Sequence, residues 1–95
     1  MTLEQFKATL KEAAPSVGDA ALRALWYDAK GDWTKAHEIA QEIDDQIGAW
    51  VHAYLHRKEG DAANAAYWYN RAGRPIRRDQ PLDAEWDNIV STLLL

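Results

Sequence analysis

Apolar residues recur at intervals of three and four along nearly the whole chain. In the clearest stretch, Ile47, Trp50, Val51, Tyr54 and Leu55 fall on one face of a helix that closes at a glycine. No stretch alternates apolar and polar residues as a half-buried strand would. Alanine, the strongest helix former, occurs 17 times in 95 residues. The spacing therefore predicts an all-α fold and argues against a sheet.

Glycine, proline and aspartate mark the ends of about six short helices. Gly31-Asp32 and Gly60-Asp61 each join two helices, because glycine ends the first helix and aspartate caps the next. We expect one domain over residues 1–95. Helical hairpins are predicted at about 17–45 and 46–73, between capping helices at about 2–14 and 83–94. The predicted core comprises Trp26, Ala36, Val51, Leu55, Ala65, Trp68 and Ile89.

The two Gly-Asp junctions are 29 residues apart, and small residues such as Ala36 and Ala65 recur in the same register. This pattern, best developed from Gly60 to Ala72, resembles the tetratricopeptide-repeat (TPR) superfamily and its shorter helical-hairpin relatives over about residues 17–73. The resemblance implies a TPR-like right-handed superhelical array of antiparallel hairpins. It also implies a non-enzymatic module for protein–protein interaction, whose partner is a protein or peptide.

In TPR-like arrays the first helix of each hairpin lines a concave groove. The resemblance therefore implies that the partner contacts these residues: Trp50, Tyr54, Arg57, Lys58, Leu25 and Asp28. An aromatic pair beside two cations suits a peptide that carries acidic residues. The alternative is that the N-terminal helix folds over this groove and buries Trp50.

Two histidines, His52 and His56, lie four residues apart on one predicted helix, a spacing that can chelate a divalent metal. The stretch lacks the glutamate that follows the first histidine in metalloproteases. Because both histidines lie opposite Trp50 and Tyr54, we interpret them as part of a solvated helix face, with metal binding as the alternative. The third histidine, His37, has no evident connection with this pair.

A local basic cluster suggests a second alternative function, the binding of nucleic acid or phosphate. Tyr67 and Trp68 could stack on bases nearby. However, 11 basic against 15 acidic side chains give the chain a net charge of −4, which argues against nucleic acid as a partner. The cluster consists of Arg71, Arg74, Arg77 and Arg78.

No arrangement of residues indicates catalysis, so we expect neither an enzyme nor a cofactor. The chain has no cysteine, and its paired carboxylates, Asp44 and Asp45, are better explained as helix caps. No apolar run reaches the roughly 20 residues that span a bilayer, so no membrane partner is expected. The N-terminal residues do not resemble a secretory signal, which predicts a cytoplasmic protein. Homo-oligomers through the apolar Leu93–Leu95 end remain an alternative.

Overall fold

A computed structural model describes residues 1–95 and confirms the all-α prediction. The chain forms six α-helices and no strand. The helices are α1 (Leu3–Ala8), α2 (Ala20–Ala29), α3 (Trp33–Gln41), α4 (Gln46–Glu59), α5 (Ala62–Ala72) and α6 (Leu82–Leu93). None of them has the length and apolar character that crossing a membrane requires.

Aspartate side chains determine where the four middle helices begin. Asp19, Asp32, Asp45 and Asp61 each accept a hydrogen bond from the backbone N–H three residues further on, at 2.8–3.2 Å. Each bond satisfies an amide that has no partner within the helix. Gly31 and Gly60 precede two of these caps with φ of +87° and +89°, a backbone conformation that other residues rarely adopt. Local sequence therefore explains these junctions.

The first helix is shorter than the predicted 2–14. After Ala8 it tightens into a 3-10 turn over Thr9–Lys11, and Glu12 is extended. The Lys30 ammonium, at the end of α2, donates to the carbonyl oxygens of Leu10 at 2.6 Å and Glu12 at 3.3 Å. This long-range contact satisfies carbonyls at the end of the turn.

The fourth helix is the centre of the molecule. It packs against α2, α3, α5 and α6, and nine of its 14 residues are buried. A helix enclosed on several sides has no broad solvent-facing stripe. Most of the predicted core is confirmed, since Trp26, Ala36, Val51, Leu55, Ala65 and Ile89 are all buried. Trp68 is half-buried and packs on the edge of this core.

The third and fourth helices meet at a tight connection. A methyl group added to Gly48 would overlap the carbonyl of Ile43, so the start of α4 lies directly against the short connection that follows α3. Glycine is required here for space rather than for an unusual φ. The close approach places side chains of the middle of α3 against those of α4.

Candidate functional site

The predicted interaction groove is not open. Trp50 and Tyr54 are only 3% and 2% exposed, and their predicted counterparts Leu25 and Asp28 are buried as well. The Trp50 indole N–H donates to Glu85 Oε2 at 3.2 Å, and the Tyr54 hydroxyl donates to Asp28 Oδ2 at 3.1 Å. The prediction that these four side chains form an accessible surface is wrong.

The groove is closed mainly by α6, which packs on both α2 and α4. The Trp86 indole N–H of α6 donates to the Leu25 carbonyl of α2 at 3.0 Å. The predicted cations are also used internally, since Arg57 pairs with Glu85 at 2.8 Å and Lys58 with Asp28 at 2.9 Å. The helix that packs over Trp50 and Tyr54 is thus the C-terminal α6, whereas the N-terminal α1 packs on α6.

A cavity of about 450 Å³ remains at this end of the molecule, bordered by Asp28, Tyr54 and Lys58. Four of its charged side chains form two ion pairs, Lys58 with Asp28 and Lys7 with Asp87 at 3.1 Å, and a fifth, Asp83, accepts a hydrogen bond from the Ala84 backbone N–H. The buried polar side-chain atoms at its border, on Asp28 and Tyr54, all have hydrogen-bond partners.

Two of the four clustered arginines cover aromatic rings of the chain itself. The Arg74 guanidinium lies 3.8 Å from the ring centroid of Trp50, and that of Arg71 lies 5.4 Å from Trp68 and 5.8 Å from Tyr67. These are cation–π contacts that stabilise the surface of α5 and the loop after it. Arg77 and Arg78 are exposed. Nucleic-acid or phosphate binding by this loop stays a prediction.

The histidines are the group that the structure brings together. His52 and His56 are 7% and 8% exposed, so their interpretation as a solvated helix face is wrong. They face α3, where His37 approaches them with its Nε2 only 2.9 Å from the Nε2 of His52. One nitrogen from each of the three residues lies within 4.8 Å of the others. We call His37, His52 and His56 the histidine cluster.

The three imidazole rings are packed between two tryptophans. His52 stacks on Trp68 with ring centroids 4.0 Å apart, and His56 stacks on His52 at 4.9 Å. His37 meets both of these rings edge-on and stacks on Trp33 at 4.9 Å. This packing explains why the polar rings of His52 and His56 can be buried between α3, α4 and α5, while His37 is half-buried at the edge.

A carboxylate orients one ring of the cluster. Glu59, one turn after His56, lies with its Oε2 2.8 Å from His56 Nδ1. An Nδ1–H that donates to this carboxylate leaves the Nε2 lone pair of His56 free to act as a ligand. Metal-binding histidines generally have such an outer partner, which fixes the tautomer and increases the basicity of the ring.

Burial favours the neutral, ligand-competent form of two of the rings. Desolvation, with the neighbouring His37 and His56 as smaller causes, lowers the pKa of His52 from 6.5 to about 4. Desolvation and His56 also lower the pKa of His37, although Glu59 and Glu38 partly oppose this. Both rings are therefore unprotonated at neutral pH, as metal coordination requires.

The spacing of the cluster suits a transition metal. Nitrogens bound tetrahedrally to Zn²⁺ at 2.0–2.1 Å are about 3.3–3.4 Å apart. The separations here, from 2.9 Å to at most 4.8 Å, bracket that value. Because each lone pair lies in the plane of its ring, a shared ion also requires the stacked rings of His52 and His56, now 22° apart, to tilt toward each other.

Sequence reasoning found the pair on α4 but missed His37. The contact between His37 and His52 is a tertiary one, because the two residues belong to different helices. One local signal was available: Trp33 and His37 lie four apart on α3, which places an aromatic ring beside the imidazole.

The histidine cluster predicts acid-sensitive folding. The pKa of His52 is about 4 in the folded chain and 6.5 ordinarily, so the unfolded chain binds the proton more tightly. The contribution of neutral His52 to the free energy of unfolding is fully present above pH 6.5, and it is lost as the pH falls toward 4. At about 1.4 kcal/mol per pKa unit, the loss is on the order of 2–3 kcal/mol.

Urea unfolding at about pH 7 and about pH 4.5 measures this loss. The matched variant is His52→Gln, which cannot titrate at this position and should lose less stability over the same interval. Equal losses in the two proteins would contradict the assignment of the acid sensitivity to His52.

No family model, curated protein or solved structure matches this chain. The resemblance to TPR proteins accordingly stays a prediction. The function is therefore inferred from the chemistry of the histidine cluster.

Proposed function

We propose that the chain binds one divalent transition-metal ion through His37, His52 and His56. The observation that carries this proposal is the convergence of three imidazole nitrogens within 4.8 Å of one another. Three imidazole nitrogen donors suit Zn²⁺, Co²⁺, Ni²⁺ and Cu²⁺, whereas Mg²⁺ and Ca²⁺ require oxygen ligands.

The packing around the cluster supports this proposal. Trp33 and Trp68 hold the outer rings, so little side-chain freedom has to be lost when a metal binds. The Trp33 indole N–H donates to the Leu55 carbonyl of α4 at 2.8 Å, which fixes α3 against α4. A metal ion would add a second connection between these helices.

Binding of a protein or peptide partner was the leading hypothesis from the repeat pattern. Its four central residues, Trp50, Tyr54, Leu25 and Asp28, are buried. That hypothesis now rests on the resemblance alone, so metal binding is the better-supported function.

Isothermal titration of the metal-free chain with Zn²⁺ tests the proposal. We expect one ion per chain with a dissociation constant of about 1 µM or tighter, equivalent to about 8 kcal/mol. Cu²⁺ or Ni²⁺ should quench tryptophan fluorescence, because Trp33 and Trp68 stack directly on cluster rings. Zn²⁺ at about 100 times its dissociation constant should raise the free energy of unfolding by about 2.7 kcal/mol.

The variants His37→Gln, His52→Gln and His56→Gln should each weaken Zn²⁺ binding more than loss of the outer carboxylate in Glu59→Gln. Loss of such an outer partner typically costs about 10–100-fold. Glu4→Gln, an exposed carboxylate on α1, is the matched control and should bind as the unmodified chain does. Binding that is absent, or that survives loss of His37, would refute a three-histidine site.

A further inference from the structure

We propose that a metal ion in the histidine cluster keeps one coordination position open toward a neighbouring cleft, where it exchanges water for a small neutral donor molecule. This inference rests on the proposed metal binding. Beyond metal binding, the inference specifies a ligand from outside the chain, the side from which that ligand approaches, and its charge.

No fourth ligand atom of the chain is grouped with the three imidazole nitrogens. All three of its histidines are in the cluster, and it has no cysteine. No carboxylate oxygen belongs to the group of ligand atoms within 4.8 Å. The nearest one identified, on Glu59, is paired with His56 Nδ1 at 2.8 Å. Zinc sites with three protein ligands characteristically keep the fourth position for water or substrate.

One cleft of the molecule borders the cluster at His52, while His37 is itself only half-buried at the surface. The cleft has a volume of about 470 Å³ and reaches His52 and Trp68 from the α3–α4 connection. None of the other cavities of the molecule includes a cluster histidine in its lining. The volume is within the range of small-molecule sites.

The charges around this cleft select against anions. Glu42, Asp44 and Asp45 line it, with Arg71 as the only cation. All three carboxylates are exposed at the connection. Asp45 also caps α4, so Glu42 and Asp44 are the two that can be replaced without removing a helix cap. An anion that approaches the metal through this cleft passes this net negative charge, whereas a neutral molecule is not repelled. The cleft therefore favours neutral nitrogen or oxygen donors.

The Co²⁺-loaded chain provides the test, because the visible absorption of Co²⁺ depends on its coordination number and ligands. Imidazole serves as the neutral probe and azide as the anionic probe. We expect both to change the spectrum of bound Co²⁺ in a saturable way. In the Glu42→Gln, Asp44→Asn variant, azide should bind about fivefold more tightly, while imidazole binding should stay unchanged. The gain for azide should shrink as salt is added.

The matched control is Glu4→Gln with Glu12→Gln, which removes two exposed carboxylates at other positions of the chain and should leave azide binding unchanged. Circular dichroism checks that each variant is folded. A bound Co²⁺ ion whose spectrum responds to neither probe would overturn the open position while the proposed metal binding stands. Equal azide affinity in the cleft variant and its control would overturn access through the cleft. Failure of Co²⁺ to bind would overturn both proposals.

Discussion

Replacing both Trp50 and Tyr54 with alanine is expected to unfold the protein. Each side chain is at most 3% exposed and packs at the centre of the molecule on α4. Truncation of a buried aromatic residue costs about 3–5 kcal/mol, because transfer free energy is lost and a cavity remains. Two truncations approach or exceed the whole stability of a typical domain, about 5–15 kcal/mol.

The replacements also remove one hydrogen bond from each of two buried carboxylates. Asp28 would lose the Tyr54 hydroxyl, and Glu85 would lose the Trp50 indole N–H. Both carboxylates are buried, so each loss adds a desolvation cost. The two truncations therefore remove more than apolar contacts.

Far-UV circular dichroism during heating measures the effect. Tyr67→Ala is the matched control, since Tyr67 is 52% exposed and its removal should lower the melting temperature by no more than about 4–8 °C. A double variant that stays helical and melts only a few degrees below the unmodified chain would show that Trp50 and Tyr54 lie outside the core.

The helices and their ends could be predicted because their determinants are local. Each Gly-Asp junction combines a residue suited to positive φ with a side chain that caps the following amides within three residues. Apolar spacing then identified the buried residues of α2 and α6, such as Trp26 and Ile89. These features can be predicted without knowing which helices pack against each other.

The environment of α4 could not be predicted in the same way. Its apolar residues suggested one buried face, and its histidines suggested an exposed one. In the structure α3 and α5 cover the histidines, while α2 and α6 enclose the rest of the helix. Whether His52 faces water is decided by His37 and Trp68, which are distant in sequence. Periodicity locates a polar face but does not show what packs against it.

A buried carboxylate, Glu85, is the residue whose structural importance was least visible in the sequence. It lies in the first turn of α6 and is 4% exposed. Its carboxylate accepts hydrogen bonds from the Tyr69 hydroxyl at 2.6 Å and 2.8 Å, and from the Trp50 indole N–H at 3.2 Å. It also pairs with Arg57 at 2.8 Å. One side chain thus joins α4, α5 and α6.

Its partners depend on it as an acceptor. Burial, followed by the hydrogen bond to Glu85, raises the pKa of Tyr69, so this hydroxyl stays protonated and acts as a donor. The Arg57 guanidinium also donates to the Gln80 carbonyl, which holds the loop before α6 against α4. Removing the carboxylate would leave a cation and two donors poorly satisfied in the interior.

We therefore expect Glu85→Ala to lower the free energy of unfolding by about 3–5 kcal/mol, the usual cost of breaking a buried ion pair from one side. Glu85→Gln keeps the size and one acceptor oxygen, so it should cost less than Glu85→Ala. Asp83→Ala, an exposed carboxylate in the same first turn, should cost at most about 1 kcal/mol. Urea unfolding of the three variants gives the comparison. If Glu85→Ala were no more destabilising than Asp83→Ala, this carboxylate would not hold the three helices together.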